Sequence, residues 1–221
     1  SKEQLINQAF NFHSQGNISE AAKLYQYFIN QGFKDHRIFS NYGAILKNLG
    51  KLQDAELSYR KAIEIKPDFA EAHSNLGVLL KDLGNLQDAE LSYRKAIEIK
   101  PDYADAHYNL GNLLKDLGKS QDALRHWMKA AELKPKDDKL VIGLAHHLCY
   151  RKKYELALKY LSKNQSNSSQ SLYLGCLLSL NREKDFNEKY KELNEKKVCN
   201  ADIGSVIEHA NIIYDNKYKS P

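Results

Sequence analysis

The stretch AEAHSNLGVLLKDLGNLQDAELSYRKAIEIKPDY, residues 70–103, decides the fold, because its pattern recurs along the chain at a fixed interval. Residues 52–68 and 86–102 share one sequence, LQDAELSYRKAIEIKPD. Prolines and glycines recur every 34 residues (101 − 67), at Pro67, Pro101 and Pro135 and at Gly16, Gly50, Gly84 and Gly118. A period of this length predicts stacked supersecondary units, each of which buries its apolar face against its neighbours.

One unit contains two helical stripes when Ala70 is numbered as position 1. The first stripe holds positions 7, 8 and 11, and the second holds positions 20, 24 and 27; they are Leu76, Gly77 and Leu80, then Ala89, Tyr93 and Ala96. Each spacing places its residues on one side of a helix. Gly84 lies between the stripes, where glycine favours the end of a helix, and Pro101 follows the second stripe. The unit is therefore predicted to be a helix–turn–helix hairpin.

This pattern resembles the tetratricopeptide repeat, which has small residues at positions 8, 20 and 27, glycine at 15 and proline at 32. The resemblance implies an all-α, right-handed solenoid of five to six repeats with a capping helix at its C-terminal end. The predicted repeats occupy residues 2–35, 36–69, 70–103, 104–137 and 138–171. The first and last depart from the pattern: Phe28 and Phe33 replace the small residue and the proline, and Lys152 replaces the turn glycine.

The chain beyond the repeats continues the helical pattern more weakly. A polar run at 163–170 predicts a loop. Residues 172–197 predict a degenerate sixth hairpin, with helices over 171–180 and 184–197. Residues 198–221 predict a capping helix followed by a tail, because the last repeat of an array otherwise exposes its stacking face.

Composition argues for a cytoplasmic protein without nucleic-acid or membrane partners. The net charge is +5; residues 1–137 hold 19 basic and 18 acidic residues, and residues 138–221 hold 14 and 10. This excess is small and interspersed with glutamate, so it predicts solvated helix faces. No apolar run approaches the ~20 residues of a membrane span. Cys149, Cys176 and Cys199 lack the spacing of a zinc site or a disulfide framework, so reduced and mostly buried thiols are expected.

No catalytic residue, metal site or cofactor is predicted, because the chain lacks a phosphate-binding loop and known catalytic motifs. His146 and His147 are adjacent, and neighbouring helix residues point about 100° apart, so they are poorly placed to share a metal. His73 and His107 at position 4 are predicted packing residues, and Trp127 is a predicted core residue.

Position 6 of the first helix carries an asparagine in four successive repeats, namely Asn7, Asn41, Asn75 and Asn109. The phrase AEAHSNLG resembles the repeat half of the O-linked N-acetylglucosamine transferases. In that family an asparagine ladder at this position on the concave face holds the backbone of an extended polypeptide. A carboxamide suits this role because it offers a donor and an acceptor to one peptide group. A purely structural role for these asparagines is the equally weighted alternative.

Neighbouring positions of the first helices, 2, 5, 9, 12 and 13, are predicted to line the same groove. They include Ser40 and Ser74 at position 5. The candidate binding residues beside the asparagines are Lys47, Lys81, Lys115, Tyr108 and Asn112.

The predicted function is a protein–protein interaction scaffold that binds an extended peptide, whose identity the sequence does not give. One alternative is the substrate-recruiting arm of a longer enzyme, of glycosyltransferase or oxygenase type; the first residue is Ser1 rather than Met, and we expect the chain to be part of a longer protein. Another is homo-oligomerisation. Specificity is also open to a second interpretation, in which the divergent ends carry it through Phe10, His13, His146 and Tyr150.

Overall fold

The computed structural model describes residues 2–195, which form twelve α-helices and no strand. The prediction of an all-α fold is confirmed. The helices are α1 (Lys2–Ser14), α2 (Ile18–Asn30), α3 (His36–Asn48), α4 (Leu52–Ile65), α5 (Ala70–Asp82), α6 (Leu86–Ile99), α7 (Ala104–Asp116), α8 (Ser120–Leu133), α9 (Asp138–Tyr150), α10 (Tyr154–Leu161), α11 (Asn167–Ser179) and α12 (Glu183–Glu195).

The chain divides into two compact units, Ser1–Ala123 (unit 1) and Leu124–Pro221 (unit 2). In unit 1, helices pair as hairpins α1–α2, α3–α4 and α5–α6, and each second helix also contacts the first helix that follows it. In unit 2, α9 contacts α10 and α11, and α11 contacts α10 and α12. The predicted capping helix at 198–221 lies outside the described residues.

The turn inside each unit 1 hairpin is closed by a glycine in the left-handed region. Gly84 has φ +80°, its N–H donates to the carbonyl of Lys81, and the next N–H, of Asn85, donates to the carbonyl of Leu80. These bonds satisfy carbonyls that the helix end leaves free. A side chain at Gly84 would strain this conformation, so the glycine period places the turns.

A second glycine, Gly77, is required by packing rather than by backbone conformation. Tyr93 on α6 is 1% exposed, and its ring lies directly over Gly77 on α5. A Cβ built on Gly77 would lie 2.8 Å from Tyr93 Cδ1 and Cε1. Gly43 and Tyr59 repeat the arrangement one hairpin earlier, at 2.9 Å. The small residue at position 8 therefore allows the two helices of a hairpin to approach each other around a buried tyrosine.

Unit 2 keeps the hairpin form with different local chemistry. Lys152 replaces the turn glycine and nevertheless has φ +57°, with the same pair of closing hydrogen bonds to the carbonyls of Cys149 and Leu148. Helix α10 ends early, at Leu161.

The prediction of a loop through residue 170 was wrong from Asn167 onward, where α11 begins. Ser166 caps this helix, because its hydroxyl accepts a hydrogen bond from the backbone N–H of Ser169. The buried Asn164 in this segment is satisfied by two hydrogen bonds. Asn164, 1% exposed, donates to Asp138 at 2.9 Å and accepts from the N–H of Ser166 at 2.9 Å.

The sixth hairpin has a small apolar core. Leu174 on α11 and Leu193 on α12 are buried, and Phe186 and Tyr190 pack against them.

Trp127, which was predicted as a core residue, is 6% exposed. No helix between Lys2 and Glu195 combines the length and the apolar character that a membrane span requires.

Candidate functional site

The first helices of unit 1 line one side of the hairpin stack. Helix α3 contacts α5, and α5 contacts α7, whereas the second helices α4 and α6 contact mainly the first helices beside them. We call the surface of α3, α5 and α7 that carries Asn41, Asn75 and Asn109 the first-helix face. Because the first helices lie closer together than the second helices, this face is the inner side of the stack.

The three asparagines of this face are half-buried, but their partners differ. Asn41 Nδ2 donates to the hydroxyl of Tyr25 at 3.3 Å. Asn75 and Asn109 make no side-chain hydrogen bond within residues 2–195, although Tyr59 and Tyr93 occupy the position of Tyr25 in the following repeats. Asn7, the predicted first member of the ladder, is exposed on α1. The structure therefore separates a structurally engaged Asn41 from two carboxamides with unused bonding capacity.

Two of the three candidate binding lysines form ion pairs between repeats. Lys47 Nζ lies 2.9 Å from Asp82 Oδ2, and Lys81 Nζ lies 2.7 Å from Asp116 Oδ2. These pairs connect α3 to α5 and α5 to α7. Their side chains are 27–48% exposed, so each pair contributes about 0–1 kcal/mol of stability. Lys115 is exposed on α7 and has no ion pair among the described residues.

Tyr108 and Asn112 flank Asn109 on α7, one residue before it and three residues after it. Both are half-buried, and both already interact with other groups of the chain.

The prediction that position 5 lines the groove was wrong in the second and third repeats. Ser40 and Ser74 are each only 3% exposed. Ser74 lies against the next hairpin, where its hydroxyl bonds to that of Tyr103. Position 5 in these repeats therefore packs between helices. As a result, the face available to a ligand is narrower than the sequence pattern predicts.

The histidines at position 4 do more than pack. His73 Nε2 donates to the carbonyl oxygen of Pro67 at 2.9 Å, and His107 Nε2 donates to that of Pro101 at 3.1 Å. Each histidine thus ties its first helix to the loop that precedes it. The common spacing of six residues between proline and histidine in two repeats was the available sequence signal for this bond.

The divergent first repeat forms an aromatic cluster around Tyr25. Its hydroxyl donates to the carbonyl of Ala9 at 3.4 Å and lies 3.3 Å from His13 Nδ1. Burial raises the pKa of Tyr25 to about 12, and the hydrogen bond from Asn41 opposes this rise. Burial also lowers the pKa of His13. Phe10, half-buried, lies against the Tyr25 ring.

In unit 2, α9 presents the residues of the divergent fifth repeat. Tyr150 is 88% exposed, and His146 is exposed. His147 instead packs edge-on against Trp127, with ring centroids 4.7 Å apart. Cys149, also on α9, contacts Cys176 of α11 through its sulfur. The spacing of the cysteines in the sequence did not indicate this contact.

Two shallow grooves lie by the second helices rather than on the first-helix face. One, of about 460 Å³, lies between α4 and α6 and is lined by Arg60, His73 and Leu91, among others. The other, of about 450 Å³, lies beside α4 and includes Leu57. No asparagine of the first-helix face lines either groove.

Family models match the central part of the chain. A model described as TPR repeat matches residues 43–84 and 80–118, and one described as Tetratricopeptide repeat matches residues 104–137. The matched residues include Asn75 and Asn109. No curated protein matches the chain.

Several solved structures resemble the fold of this chain at low sequence identity. For pilF of Pseudomonas aeruginosa the TM-score is 0.70 at 15% identity, covering 94% of this chain and 97% of that one. For MamA from residue 41 to its end, of Desulfovibrio magneticus RS-1, the TM-score is 0.59 at 20% identity, covering 73% and 92%. For a tetratricopeptide repeat protein from Parabacteroides merdae ATCC 43184 it is 0.58 at 17% identity, covering 96% and 86%.

At these identities the likeness establishes the fold alone. Residues 43–137 match tetratricopeptide-repeat models, and the residues that the structure describes have an all-α helical-repeat fold. Tetratricopeptide-repeat proteins generally serve as scaffolds for protein–protein interaction.

Proposed function

We propose that the first-helix face of unit 1 binds an extended segment of another protein, and that Asn75 and Asn109 pair with its backbone. The observation that carries this proposal is the state of these two side chains. They occupy the same position of successive first helices, they are half-buried, and they have no hydrogen-bond partner within the described residues. A half-buried carboxamide gains most from a ligand that supplies both a donor and an acceptor, as a peptide group does.

Charges on the face favour a ligand with an acidic group near α7. Lys47 and Lys81 are neutralised by their aspartate partners, whereas Lys115 is not. Lys115 is exposed on α7 and has no acidic partner among residues 2–195. An acidic side chain of the ligand would supply one.

Energetics keep the expected affinity modest. A net hydrogen bond contributes roughly 0.5–1.5 kcal/mol, so two asparagines that each accept and donate contribute on the order of 2–6 kcal/mol. Association costs about 4 kcal/mol or more in lost freedom. Backbone pairing alone therefore gives weak binding, and side chains such as Tyr108, Asn112 and Lys115 must add the rest.

The test is binding of a library of unrelated extended peptides, measured by fluorescence anisotropy. We expect the intact chain to bind many of them weakly and the Asn75→Ala/Asn109→Ala double variant to lose at least about tenfold in affinity. Asn85→Ala is the matched control, because Asn85 is exposed in a turn and its side chain makes no capping bond. Circular dichroism checks that each variant keeps its helices.

Two results would contradict the proposal. One is equal peptide affinity of the double variant and the intact chain. The other is an absence of binding to any peptide in the library, which would show that the first-helix face does not bind peptide backbones. Asn41 is left unchanged in the main variant because its bond to Tyr25 gives it a structural role.

A different observation favours a second candidate function, the pairing of two copies of the chain. Leu57 and Leu91 stand at the same position of α4 and α6 and are 67% and 65% exposed. Light scattering at several concentrations tests this function, with Leu57→Gln/Leu91→Gln as the comparison. A strictly monomeric chain at all concentrations removes it.

A further inference from the structure

Two cysteines that are remote in sequence meet in unit 2. Cys149 lies in the last turn of α9 and Cys176 lies on α11, 27 residues later. Their Sγ atoms are 3.3 Å apart, and both are free thiols. Helices α9 and α11 contact each other directly, so the fold holds the pair together.

The two thiols differ in access to solvent. Cys149 is half-buried, whereas Cys176 is 1% exposed. A small oxidant from solvent therefore reaches Cys149 first. Cys176 is shielded from solvent, but its sulfur already touches the sulfur of Cys149.

The contact also divides the chemical roles. The hydrogen bond between the two thiols lowers the pKa of Cys149. The same contact, together with burial, raises the pKa of Cys176. Because Cys149 is the thiol that solvent reaches, Cys149 is the nucleophile of the pair and the buried Cys176 is the resolving thiol.

We propose that Cys149 and Cys176 form a reversible redox site, in which a hydroperoxide oxidises the pair to a disulfide that links α9 to α11. The Cys149 thiolate attacks one peroxide oxygen, the O–O bond breaks, and Cys149 becomes a sulfenic acid while the peroxide is reduced to an alcohol or to water. Cys176 then attacks the Cys149 sulfur, the S–O bond breaks, and water leaves as the S–S bond forms. A dithiol reductant reverses the change by thiol–disulfide exchange.

The disulfide would join the first helix of the fifth hairpin to the first helix of the sixth. A hairpin with a small apolar core, formed around Leu174 and Leu193, would then be held to α9 by a covalent bond. This site is independent of peptide binding by unit 1, so neither proposal depends on the other.

The test exposes the intact chain to increasing hydrogen peroxide, then unfolds it and labels the remaining thiols with a maleimide for mass spectrometry. We expect Cys149 and Cys176 to lose their labels together, with a mass loss of two hydrogens and a peptide map joining the two cysteines. Dithiothreitol should restore both labels. In Cys176→Ala, Cys149 should instead accumulate as a sulfenic acid that dimedone traps.

Cys199→Ala is the matched control and should leave the cross-link unchanged. The proposal is overturned if both thiols remain labelled while the control peroxidation of free glutathione is complete. It is also overturned if the peptide map joins either cysteine to Cys199 or to another chain. Because the first measurement uses the unmodified chain, it does not depend on whether any variant folds.

Discussion

Replacing Gly77 by alanine tests the packing that holds each hairpin together. The new Cβ would lie 2.8 Å from two ring atoms of Tyr93, whereas ordinary contact begins at 3.4 Å. The ring must therefore shift by roughly 0.6 Å within a closely packed interior. Tyr93 is 1% exposed, so the surrounding helices must move with it.

The magnitude follows from two opposed terms. Overpacking of this kind costs about 1–3 kcal/mol. Alanine in place of glycine in a helix interior gains about 1 kcal/mol. We therefore expect Gly77→Ala to lower the free energy of unfolding by about 0–2 kcal/mol.

Gly175 on α11 supplies the matched control, because no atom lies within 4 Å of a Cβ built there. Gly175→Ala should keep only the gain of about 1 kcal/mol. The difference between the two variants removes the propensity term and leaves the overpacking cost of about 1–3 kcal/mol. Gly43→Ala, which meets Tyr59 at 2.9 Å, should behave like Gly77→Ala.

The assay is urea unfolding followed by far-UV circular dichroism, with native-state hydrogen exchange read separately at α5 and α11. Separate readings are needed because repeat arrays do not always unfold in one step. If Gly77→Ala stabilises α5 as much as Gly175→Ala stabilises α11, the close approach to Tyr93 does not limit position 8, and the reasoning fails.

Three further predictions concern ionisation, ion pairing and backbone strain. Burial raises the pKa of Tyr25 and of Tyr59 to about 12 in the folded chain, so their contribution to stability is complete below about pH 10 and is lost as the pH rises to about 12. Urea midpoints and phenolate absorbance across this pH range measure the loss, and a constant urea midpoint would contradict the prediction. Asp116→Asn leaves Lys81 unpaired and should lower the free energy of unfolding by at most about 1 kcal/mol at low salt, with no measurable change near 1 M salt. A loss of stability that persists at high salt would show that the Lys81–Asp116 pair is more than a surface contact. Lys152→Gly should raise the stability of unit 2 by about 0.5–1 kcal/mol in thermal unfolding. Glycine relieves about 1–2 kcal/mol of strain in the left-handed backbone at this position, and this gain outweighs the added freedom of the unfolded chain. A lower melting temperature would contradict the strain argument.

The hairpins of unit 1 were predictable because their determinants are local. Gly84 ends a helix by its own conformational freedom, and the stripe containing Ala89 and Tyr93 follows from helical periodicity. Repetition at 34 residues then multiplies a weak local signal into a strong one. The same reasoning failed at 167–170, where a polar run begins a helix because Ser166 caps it, and the buried Asn164 is satisfied by Asp138 and by the N–H of Ser166.

The candidate site was only partly predictable. The sequence identified Asn75 and Asn109 as equivalent positions, but it did not distinguish them from Asn41, which bonds to Tyr25. It also placed Ser74 in the groove, although the hydroxyl bonds to that of Tyr103 and the residue is buried. Exposure and partner choice depend on the neighbouring hairpin, which a pattern within one hairpin does not describe.

The sequence by itself determined the helical class, the period and the positions of the turns, because these depend on contacts within one hairpin. Only the tertiary structure decided which polar groups are engaged and which are available. The meeting of Cys149 with Cys176 is the clearest case, since 27 residues separate them and no spacing rule connects them. Helices α9 and α11 bring the two sulfurs together through packing between hairpins, and packing of this kind is a property of the folded chain rather than of any short segment.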